Sequence, residues 1–582
     1  MAPLRSSLPL VPGLAIACAA RGLAGRGSRD TSPLSPVQPC SSRLGAAGSS
    51  PEGAVPGLGR PGAGTLSSLF GQHVLILGLG TSGLAMARWC TREGARVTVA
   101  DTRIEPPQLA AMRHELPDAC FVGGPFSAAL LEGSNIKAVY VSPGLTPLEC
   151  APVSDAARAI GLPVAGELQL FAQALADLRA TRSYAPKVLA VTGTNGKTTV
   201  TTLTSQLVER AGKTVAMAGN VGPTLLDTLS AQLDAAALPE VWVLELSSFQ
   251  LAAACAFEPG AAALLNITQD HLDWHGSMTD YSRAKASIFG QHALLVLNRD
   301  DPAVMELLSP GMSGSEERTG ARPGKVKLQK PQHRSYVTFG ADRPTRPGDF
   351  GMEEINGMHW LVRALEADES LRKRKGPPED LHIQRLMPAD ALRIRGRHNA
   401  LNAQAALALA QSAGCALGPL LYGLREYRGE PHRLESVAII NEVEYFDDSK
   451  GTNVGATVAA LSGLGLERRL VVILGGEGKA QDFAPLAQPV ARYVRAVVLI
   501  GRAAAQIRDV LAATGVTLVD VHTMQDAVAQ ASTLARSGDA VLLSPACASF
   551  DMFDNYVHRA RAFVAAVAEA ASAAGAVLEG VQ

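Results

Sequence analysis

The segment VLAVTGTNGKTT, at residues 188–199, decides the fold of the largest part of this chain. Its first five residues are an apolar run typical of a buried strand, and residues 197–210 have the pattern of a helix. A glycine-rich loop between them offers backbone N–H groups to phosphate, its lysine neutralises charge, and the following hydroxyl ligates magnesium. The segment therefore predicts an α/β unit that binds nucleotide phosphates. Val191 stands where the full phosphate-loop pattern has its first glycine, so the loop is a variant.

Two later apolar runs end in residues that can bind a metal ion. Glu245 lies near the end of the run at 241–246, and Asp270 and His271 follow the run at 262–268. Because the carboxyl ends of parallel strands meet at one edge of a sheet, these side chains are expected beside the loop. Carboxylates suit magnesium, and a neutral imidazole can also bind it. A histidine alone is more often structural, so the prediction for His271 depends on these neighbours.

Upstream, the sequence GLGTSG at 78–83 matches the pattern GxGxxG. It follows an apolar run at 73–78 and opens a helical stretch at 83–92, and the next strand ends at Asp101. Glycines let the backbone approach a diphosphate, and a helix start favours its negative charge. Taken alone, the pattern indicates a dinucleotide such as NAD or FAD, or a tight turn that binds no ligand.

The alternation of strands and helices continues to the end of the chain and predicts an α/β fold with three domains in series. The first, at 71–184, is Rossmann-like, and the second, at 185–429, is a phosphate-loop ATPase with a parallel sheet. The third, at 430–582, is again Rossmann-like, with strands predicted at 470–474, 496–500, 517–519 and 540–543. A polar stretch at 309–390 reads as irregular β structure with insertions, and its basic run at 372–375 as a solvated face.

Composition excludes several classes of protein. The formal net charge of -1 leaves no basic field for nucleic acid. No apolar run approaches the roughly 20 residues of a membrane-spanning helix, so no membrane partner is expected. The eight cysteines form no CxxC pair, which argues against a zinc ribbon and favours buried thiols in a reduced compartment, the cytoplasm. The chain is predicted to be a monomer.

Residues 1–70 are rich in Ser, Pro, Gly and Ala, and their charges are mostly arginine. Such a composition buries too little surface to order itself, so a disordered extension or a start codon assigned too far upstream is expected. A signal peptide is the alternative, because residues 8–20 are apolar and follow Arg5. Pro9 and Pro12 interrupt that run, and export would place ATP chemistry outside the cytoplasm.

Together these motifs resemble the Mur ligase superfamily over roughly residues 72–570. The resemblance rests on the runs at 193–199, 245–250, 266–273, 281–285, 396–399 with Asn402, 432–435, 448–453, 475–479 and 544–549. The last four of these, with the Rossmann-like start, are similar to the branch that adds D-glutamate. One position departs from the pattern, because Tyr556 stands where phenylalanine is expected, and either ring packs similarly.

The resemblance implies a peptidoglycan-precursor ligase. ATP would phosphorylate the carboxylate of UDP-N-acetylmuramoyl-L-alanine, and the amine of D-glutamate would attack the acyl phosphate through a tetrahedral intermediate. A carboxylate is a poor electrophile, so the phosphate supplies a leaving group, and cations must hold the several anions together. The cofactors implied are ATP and Mg²⁺ at two sites, with no NAD.

The resemblance also implies roles for individual residues. The catalytic set would be Lys197, His271, Lys285 and Lys450. The metal set would be Thr198, Glu245, His271 and Lys285, the last as a carbamate, although a plain salt-bridging lysine is the alternative.

ATP would be held by Gly193, Thr194, Asn195, Gly196, Lys197, Thr198, Thr199, Asn399, Asn402, His432, Arg433 and Asp448. The UDP-linked substrate would be held by Gly78, Gly80, Thr81, Ser82, Asp101, Thr102, Arg103, Gly144 and Asn220. D-glutamate would be held by Lys450, Thr452, Lys479, Ser549 and Phe550. Cys547 is read as a small buried residue.

Three other functions remain as alternatives. An oxidoreductase would use the N-terminal GxGxxG but leaves the Gly-Lys-Thr loop, Glu245 and His271 without a role. A sister ligase would add L-alanine, a diamino acid or folate glutamates. Folate enzymes lack the N-terminal domain. The diamino-acid ligases carry a DNPR-like run, which is not found in the sequence. A phosphate-binding module without catalysis would not need Lys450 and its neighbours.

Overall fold

The computed structural model describes residues 68–254, 256–308, 334–366, 381–479 and 481–575. The predictions for residues 1–67 and for the basic run at 372–375 lie outside the described residues. Within the described ranges, no helix combines the length and the apolar character needed to cross a membrane.

The N-terminal part is a parallel sheet of five strands in the order β3-β2-β1-β4-β5. The helix Pro147–Ala159 begins at Pro147, because Thr146 and Glu149 form a capping box and proline suits the first helical position. The elements are β1 (His73–Leu77), α1 (Thr81–Arg92), β2 (Arg96–Asp101), α2 (Leu109–Glu115), β3 (Cys120–Gly123), β4 (Ile136–Val141), α3 (Pro147–Ala159), β5 (Val164–Ala165) and α4 (Glu167–Arg182).

The central part holds a parallel sheet of six strands, flanked by helices on both faces. Its elements are β6 (Lys187–Thr192), α5 (Lys197–Arg210), β7 (Val215–Gly219), α6 (Leu225–Asp234), β8 (Val241–Glu245), α7 (Ser248–Ala252), β9 (Ala261–Leu264), α8 (Leu272–His275), α9 (Met278–Ala286), β10 (Leu294–Asn298), α10 (Pro302–Glu306) and β11 (Tyr336–Phe339). The order is β11-β10-β9-β6-β8-β7. Since β6 lies between β8 and β9, the loop after β6 stands at the point where the strand order reverses, the usual ligand site of such sheets.

An antiparallel sheet of three strands follows, in the part of the chain where irregular β structure with insertions was predicted, and its last two strands shift register between Leu361 and Val362. Residues 309–333 and 367–380 of the predicted stretch lie outside the described residues. The sheet consists of β12 (Phe350–Ile355), β13 (Met358–Glu366) and β14 (Leu381–Pro388). Asn356 and Gly357 both have positive φ, at 52° and 78°, and form the tight turn between β12 and β13. An Asn-Gly pair between alternating strands is a hairpin signal that the sequence analysis did not use. The helices α11 (Arg397–Ser412) and α12 (Leu417–Glu426) complete the central part.

The C-terminal part is a six-stranded sheet in the order β15-β16-β20-β17-β18-β19. All neighbours are parallel except the unpredicted edge hairpin β15–β16. The elements are β15 (Glu435–Ile440), β16 (Val443–Asp447), α13 (Val454–Leu464), β17 (Leu470–Gly475), α14 (Ala487–Tyr493), β18 (Val494–Ile500), α15 (Ala504–Leu511), β19 (Thr517–Asp520), α16 (Met524–Leu534), β20 (Ala540–Leu543) and α17 (Tyr556–Ala573). The fold is therefore three α/β units in series, as the sequence predicts.

The first two units share one hydrophobic core. A single buried cluster runs from Val74 in β1 to Leu297 in β10. Phe171 of α4 meets Trp242 of β8 edge to face, with ring centroids 5.1 Å apart. In contrast, the two clusters under the C-terminal sheet contain only residues from 434 onward. Among the described residues, no buried apolar cluster joins the C-terminal unit to the other two.

Candidate active site

Asn266 and Asn402 fix the conformation of the phosphate loop between β6 and α5. The Asn195 N–H donates to Asn266 Oδ1 at 2.8 Å, and Asn266 Nδ2 donates back to the Asn195 carbonyl at 3.1 Å. Gly196 precedes α5 with φ of +81°, and a Cβ there would lie 2.7 Å from Asn402 Oδ1. A side chain at this position would be both strained and crowded, which explains why the loop needs glycine here.

Two lysines converge on this loop. Lys197 Nζ donates to the carbonyls of Gly193 and Thr194 at 2.9 and 2.8 Å. Lys285 Nζ, on a side chain only 1% exposed, donates to the same Gly193 carbonyl at 2.8 Å. Burial lowers the pKa of both lysines, and the repulsion between them lowers that of Lys285 further. Two lysine amines at one loop fit a strongly anionic ligand such as a triphosphate, which would favour their charged forms.

Glu245, at the end of β8, is buried at 2% exposure beside the loop. One carboxylate oxygen accepts from Asn220 Nδ2 at 2.9 Å, and the other has no hydrogen-bond partner among the described residues. A buried carboxylate oxygen left without a partner is costly, and a divalent cation would satisfy it.

His271 lies at the same edge of the sheet, with Nε2 3.6 Å from Asp270 Oδ2. Burial is the largest effect on its pKa and lowers it, and the nearby lysines lower it further against the opposing effect of Asp270. A neutral imidazole has a free nitrogen lone pair, so the donor set of Glu245, His271 and the Thr198 hydroxyl is chemically suited to Mg²⁺.

The C-terminal unit contacts this site through polar side chains. Arg433 Nη2 donates to the hydroxyl of Thr198, the residue after Lys197. The Asn453 side chain exchanges hydrogen bonds with Asn195 at 3.1 and 3.2 Å and donates to Asp270 Oδ2 at 3.1 Å. Three residues of the phosphate site, Thr198, Asn195 and Asp270, are therefore hydrogen-bonded directly to the C-terminal unit.

The residues predicted to contact the rest of ATP lie on separate elements. Asn402 Nδ2 donates to Asn399 Oδ1 at 3.0 Å on α11, beside Gly196. The His432 ring bonds Asp447 at 2.7 Å through Nδ1, which orients the imidazole. Asp448 accepts from Ser544 Oγ at 2.7 Å, and burial raises its pKa to about 7.

A second cationic site lies in the C-terminal unit. Lys450 Nζ stands 4.0 Å from the centroid of the Tyr556 ring, and burial, reinforced by Arg433, lowers its pKa to about 8. Thr452 is half-buried on the same turn. The other predicted D-glutamate contacts differ in burial: Ser549 is 3% exposed, Phe550 is 67% exposed, and Lys479 is exposed.

Arg559 is a buried residue that supports this second site. Its guanidinium, 2% exposed, donates to the Ser449 carbonyl at 2.8 Å and the Cys547 carbonyl at 3.1 Å. It thus joins the turn that carries Lys450 to the loop that carries Ser549. Burial raises the pKa of the Cys547 thiol to about 12, in keeping with a small buried residue and not a nucleophile.

A cavity of about 410 Å³ lies between the N-terminal and central units. Four residues predicted to bind the UDP-linked substrate line it, namely Thr81, Ser82, Gly144 and Asn220. It is also lined by Ser247, Phe249 and Gln250, to which the sequence analysis assigned no role. The sequence did contain an indication of their importance, because all three belong to the motif at 245–250.

The remaining predicted substrate residues are Gly78, Gly80, Asp101, Thr102 and Arg103, and within the described ranges they stand outside the lining of this cavity. The Asp101 carboxylate accepts from the Leu79 N–H at 2.7 Å and from Arg103 Nε at 2.8 Å. Burial opposes its charge, but these hydrogen bonds outweigh that effect and lower its pKa to about 2. Asp101 is therefore an anion that holds the glycine-rich loop against β2.

Three further residues of the site, Asn453, Trp274 and Arg559, had no predicted role. Asn453 and Trp274 stand inside or directly after quoted motifs, but their partners come from other units of the fold. Asn453 meets Asn195 across 258 residues of chain, and Trp274 meets Leu145 across 129. No local pattern predicts pairs at such separations.

Comparison with known proteins assigns the chain to a family. Three family models match in succession: the Mur ligase MurD-like N-terminal domain over residues 72–166, the Mur ligase middle domain over 191–315, and the Mur ligase glutamate ligase domain over 432–547. The MurF ligase of Thermotoga maritima, solved in complex with ADP, covers 87% of this chain and 98% of its own, with a TM-score of 0.49 at 15% identity.

Curated relatives are much more similar. The UDP-N-acetylmuramoylalanine–D-glutamate ligase of Albidiferax ferrireducens is 67% identical over 515 residues, which covers 88% of this chain and 99% of the relative. The ligase of the same name from a Polaromonas species is 56% identical and covers 87% of this chain and 99% of its own length. With near-complete coverage at this identity, the chain belongs to the Mur ligase family, and within it to the UDP-N-acetylmuramoylalanine–D-glutamate ligases.

Proposed function

We propose that this chain joins D-glutamate to UDP-N-acetylmuramoyl-L-alanine at the expense of ATP, a step of peptidoglycan precursor synthesis. The observation that carries the proposal is the position of Asn220. Its side chain lines the 410 Å³ cavity and also donates to Glu245 beside the phosphate loop. A substrate lying in this cavity would therefore bring its free carboxylate to the site of the γ-phosphate.

The chemistry follows in two steps. The substrate carboxylate attacks the γ-phosphorus, ADP leaves, and an acyl phosphate forms. The amine of D-glutamate then adds to the acyl carbon, and the tetrahedral intermediate expels phosphate and loses a proton. Lys197 would stabilise the charge that develops on the transferred phosphoryl group.

Magnesium, when bound, would neutralise phosphate charge and orient the phosphates. We assign it two sites, held between Thr198, Glu245, His271 and Lys285. The last would act as a carbamate, because burial lowers the pKa of its amine and so favours the neutral form, which can form a bond to carbon dioxide with loss of a proton. A carbamate would replace an ammonium that is repelled by Lys197 with an anionic oxygen ligand.

The other ligands are assigned to groups of residues around this centre. ATP contacts are Gly193 to Thr199 of the loop, together with Asn399, Asn402, His432, Arg433 and Asp448. Lys450, Thr452, Lys479, Ser549 and Phe550 would bind D-glutamate. The two lysines and the hydroxyls of Thr452 and Ser549 supply the cations and donors that its two carboxylates require. The glycine-rich loop after β1 would bind the UDP diphosphate and not NAD. Thr81, Ser82, Asp101, Thr102, Arg103 and Gly144 are assigned to this end of the substrate.

We also propose domain boundaries at residues 71–184, 185–429 and 430–582, and a monomer in the cytoplasm that binds neither nucleic acid nor membrane. The two internal boundaries, at 184/185 and 429/430, fall in the connections before β6 and before β15.

The test is phosphate release from ATP in the presence of UDP-N-acetylmuramoyl-L-alanine. Parallel reactions contain D-glutamate, L-glutamate, L-alanine or diaminopimelate. Release with D-glutamate alone supports the proposal. Release with another amino acid would keep the ligase reaction and overturn the specificity, and no release with any of them would overturn both. Titration with NADH, followed by nicotinamide fluorescence, tests the assignment of the first loop, and saturable binding would contradict it.

A further inference from the structure

An aromatic cluster lies between the substrate cavity and the phosphate site. Its centre is Phe249, which lines the cavity and meets His271 with ring centroids 4.7 Å apart. Trp274 also packs against Phe249, with ring centroids 4.9 Å apart. The indole Nε1 of Trp274 donates to the carbonyl of Leu145, in the N-terminal unit, at 3.0 Å. Trp274 therefore contacts both a wall of the cavity and the unit that forms the opposite wall.

The carbonyl held by Trp274 belongs to the turn after β4. The Leu145 N–H closes this turn on the Ser142 carbonyl at 3.1 Å, and Gly144 within it lines the cavity. The turn also packs on the glycine-rich loop, since a Cβ on Gly78 would lie 2.9 Å from the Leu145 side chain. A shift of the Leu145 carbonyl would thus move one wall of the cavity.

Trp274 is itself tied to His271 by the short helix α8. His271 precedes α8 with φ of +54°, and its carbonyl accepts from the Trp274 N–H at 3.1 Å. The backbone that places His271 beside the phosphate loop therefore also sets the position from which the Trp274 side chain extends.

We infer that Trp274 is a positioning residue for the UDP-linked substrate. Its indole N–H holds the turn at 142–145, and its ring supports Phe249, so that the cavity keeps a fixed position relative to His271. The inference rests on the proposed function, because it takes the 410 Å³ cavity as the site of that substrate.

The experiment compares ligand binding by the full-length wild-type chain and by Trp274→Phe, which keeps a ring and removes the N–H. Affinity for UDP-N-acetylmuramoyl-L-alanine is measured by calorimetry without ATP or metal. Loss of one hydrogen bond of ordinary strength predicts a Kd about fivefold higher. Trp274→Ala also removes the support of Phe249 and is expected to weaken binding further. The Kd for a non-hydrolysable ATP analogue, measured with Mg²⁺, should not change.

Trp360→Phe is the matched control. Trp360 is a half-buried residue of β13, and its indole nitrogen has no partner among the described residues, so the same exchange should leave both affinities unchanged. A Kd of Trp274→Phe within about twofold of wild type would overturn the inference, as would an equal loss for substrate and nucleotide, which indicates general misfolding. D-glutamate-dependent phosphate release by the wild type is measured first, because its failure contradicts the proposed function and not the role of Trp274 alone.

Discussion

At the phosphate loop, the ammonium group of Lys197 is expected to stabilise the charge on the transferred phosphoryl group. Lys197 reaches the carbonyls of Gly193 and Thr194, so its Nζ lies at the centre of the loop. We expect Lys197→Ala to lower kcat for phosphate release by about 10²- to 10³-fold, since a preorganised charge at the transferred phosphoryl group is lost. Lys187→Ala, at an exposed lysine at the start of β6, should keep wild-type turnover. Near-normal phosphate release by Lys197→Ala would remove this loop from the mechanism.

Lys450 makes a second residue-level prediction, about pH. Its pKa is lowered to about 8, so the ammonium is present below that pH and is lost as the pH rises through it. If Lys450 pairs with a carboxylate of D-glutamate, KM for D-glutamate should rise above pH 8, by up to about tenfold per pH unit.

The profile of KM against pH is compared with that of Lys450→Arg. A guanidinium stays charged over this range, so the variant should show no such rise, whatever its absolute KM. The free amine of D-glutamate also increases with pH, but it affects both enzymes equally. The same rise in both profiles would show that Lys450 does not cause it.

Among the elements, β1 and α1 approach each other closely at their junction. A Cβ added at Gly83 in α1 would lie 1.9 Å from the Gly78 carbonyl oxygen, a backbone atom that cannot move without shifting the strand. We expect Gly83→Ala to lower the free energy of unfolding by about 3 kcal/mol and to lower the thermal midpoint.

Gly80→Ala, in the same motif, is the control for this prediction. Nothing lies within 4 Å of a Cβ at Gly80, and its φ of -90° suits any residue, so its midpoint should remain near that of the wild type. Both midpoints are measured by calorimetry. Equal stability of the two variants would show that α1 can move away from β1 at little cost.

Within the described residues, the N-terminal and central units are joined by a buried apolar cluster that does not extend into the C-terminal unit. The N-terminal and central units share a hydrophobic core, whereas the C-terminal unit meets them through polar contacts such as Arg433 to Thr198 and Asn453 to Asn195. Since Arg433 occupies the hydroxyl that we assign to magnesium, binding of Mg²⁺ and ATP requires these contacts to change. We expect the C-terminal unit to rotate and the other two to stay together.

This motion is measured by fluorescence energy transfer between probes introduced as non-natural amino acids at the exposed positions Glu132, Gln291 and Gln525, one in each unit. On addition of an ATP analogue with Mg²⁺, the distance between positions 291 and 525 should change, and that between 132 and 291 should not. A change in the second distance would contradict the shared core as a rigid body. No change in either would contradict the rotation.

The sequence by itself determined the α/β class, the three successive units and most of their strands. It did so because these features depend on local patterns: apolar runs, glycine-rich turns and the helix starts that follow them. β2 ends at the predicted residue, Asp101, and α5 lies at the predicted residues 197–210. The hairpins at β12–β13 and β15–β16 were not predicted, although Asn356-Gly357 marks the first of them.

Only the tertiary structure decided how the site is assembled. It paired Asn453 with Asn195, placed Trp274 against Leu145, and left one oxygen of Glu245 without a partner beside the loop. It also showed that the Asp101 carboxylate accepts hydrogen bonds from within the protein, although the spacing in the sequence had suggested only a contact with a ligand. These relations join residues far apart in the chain, and side-chain geometry and burial, which no periodicity encodes, determine which of them form.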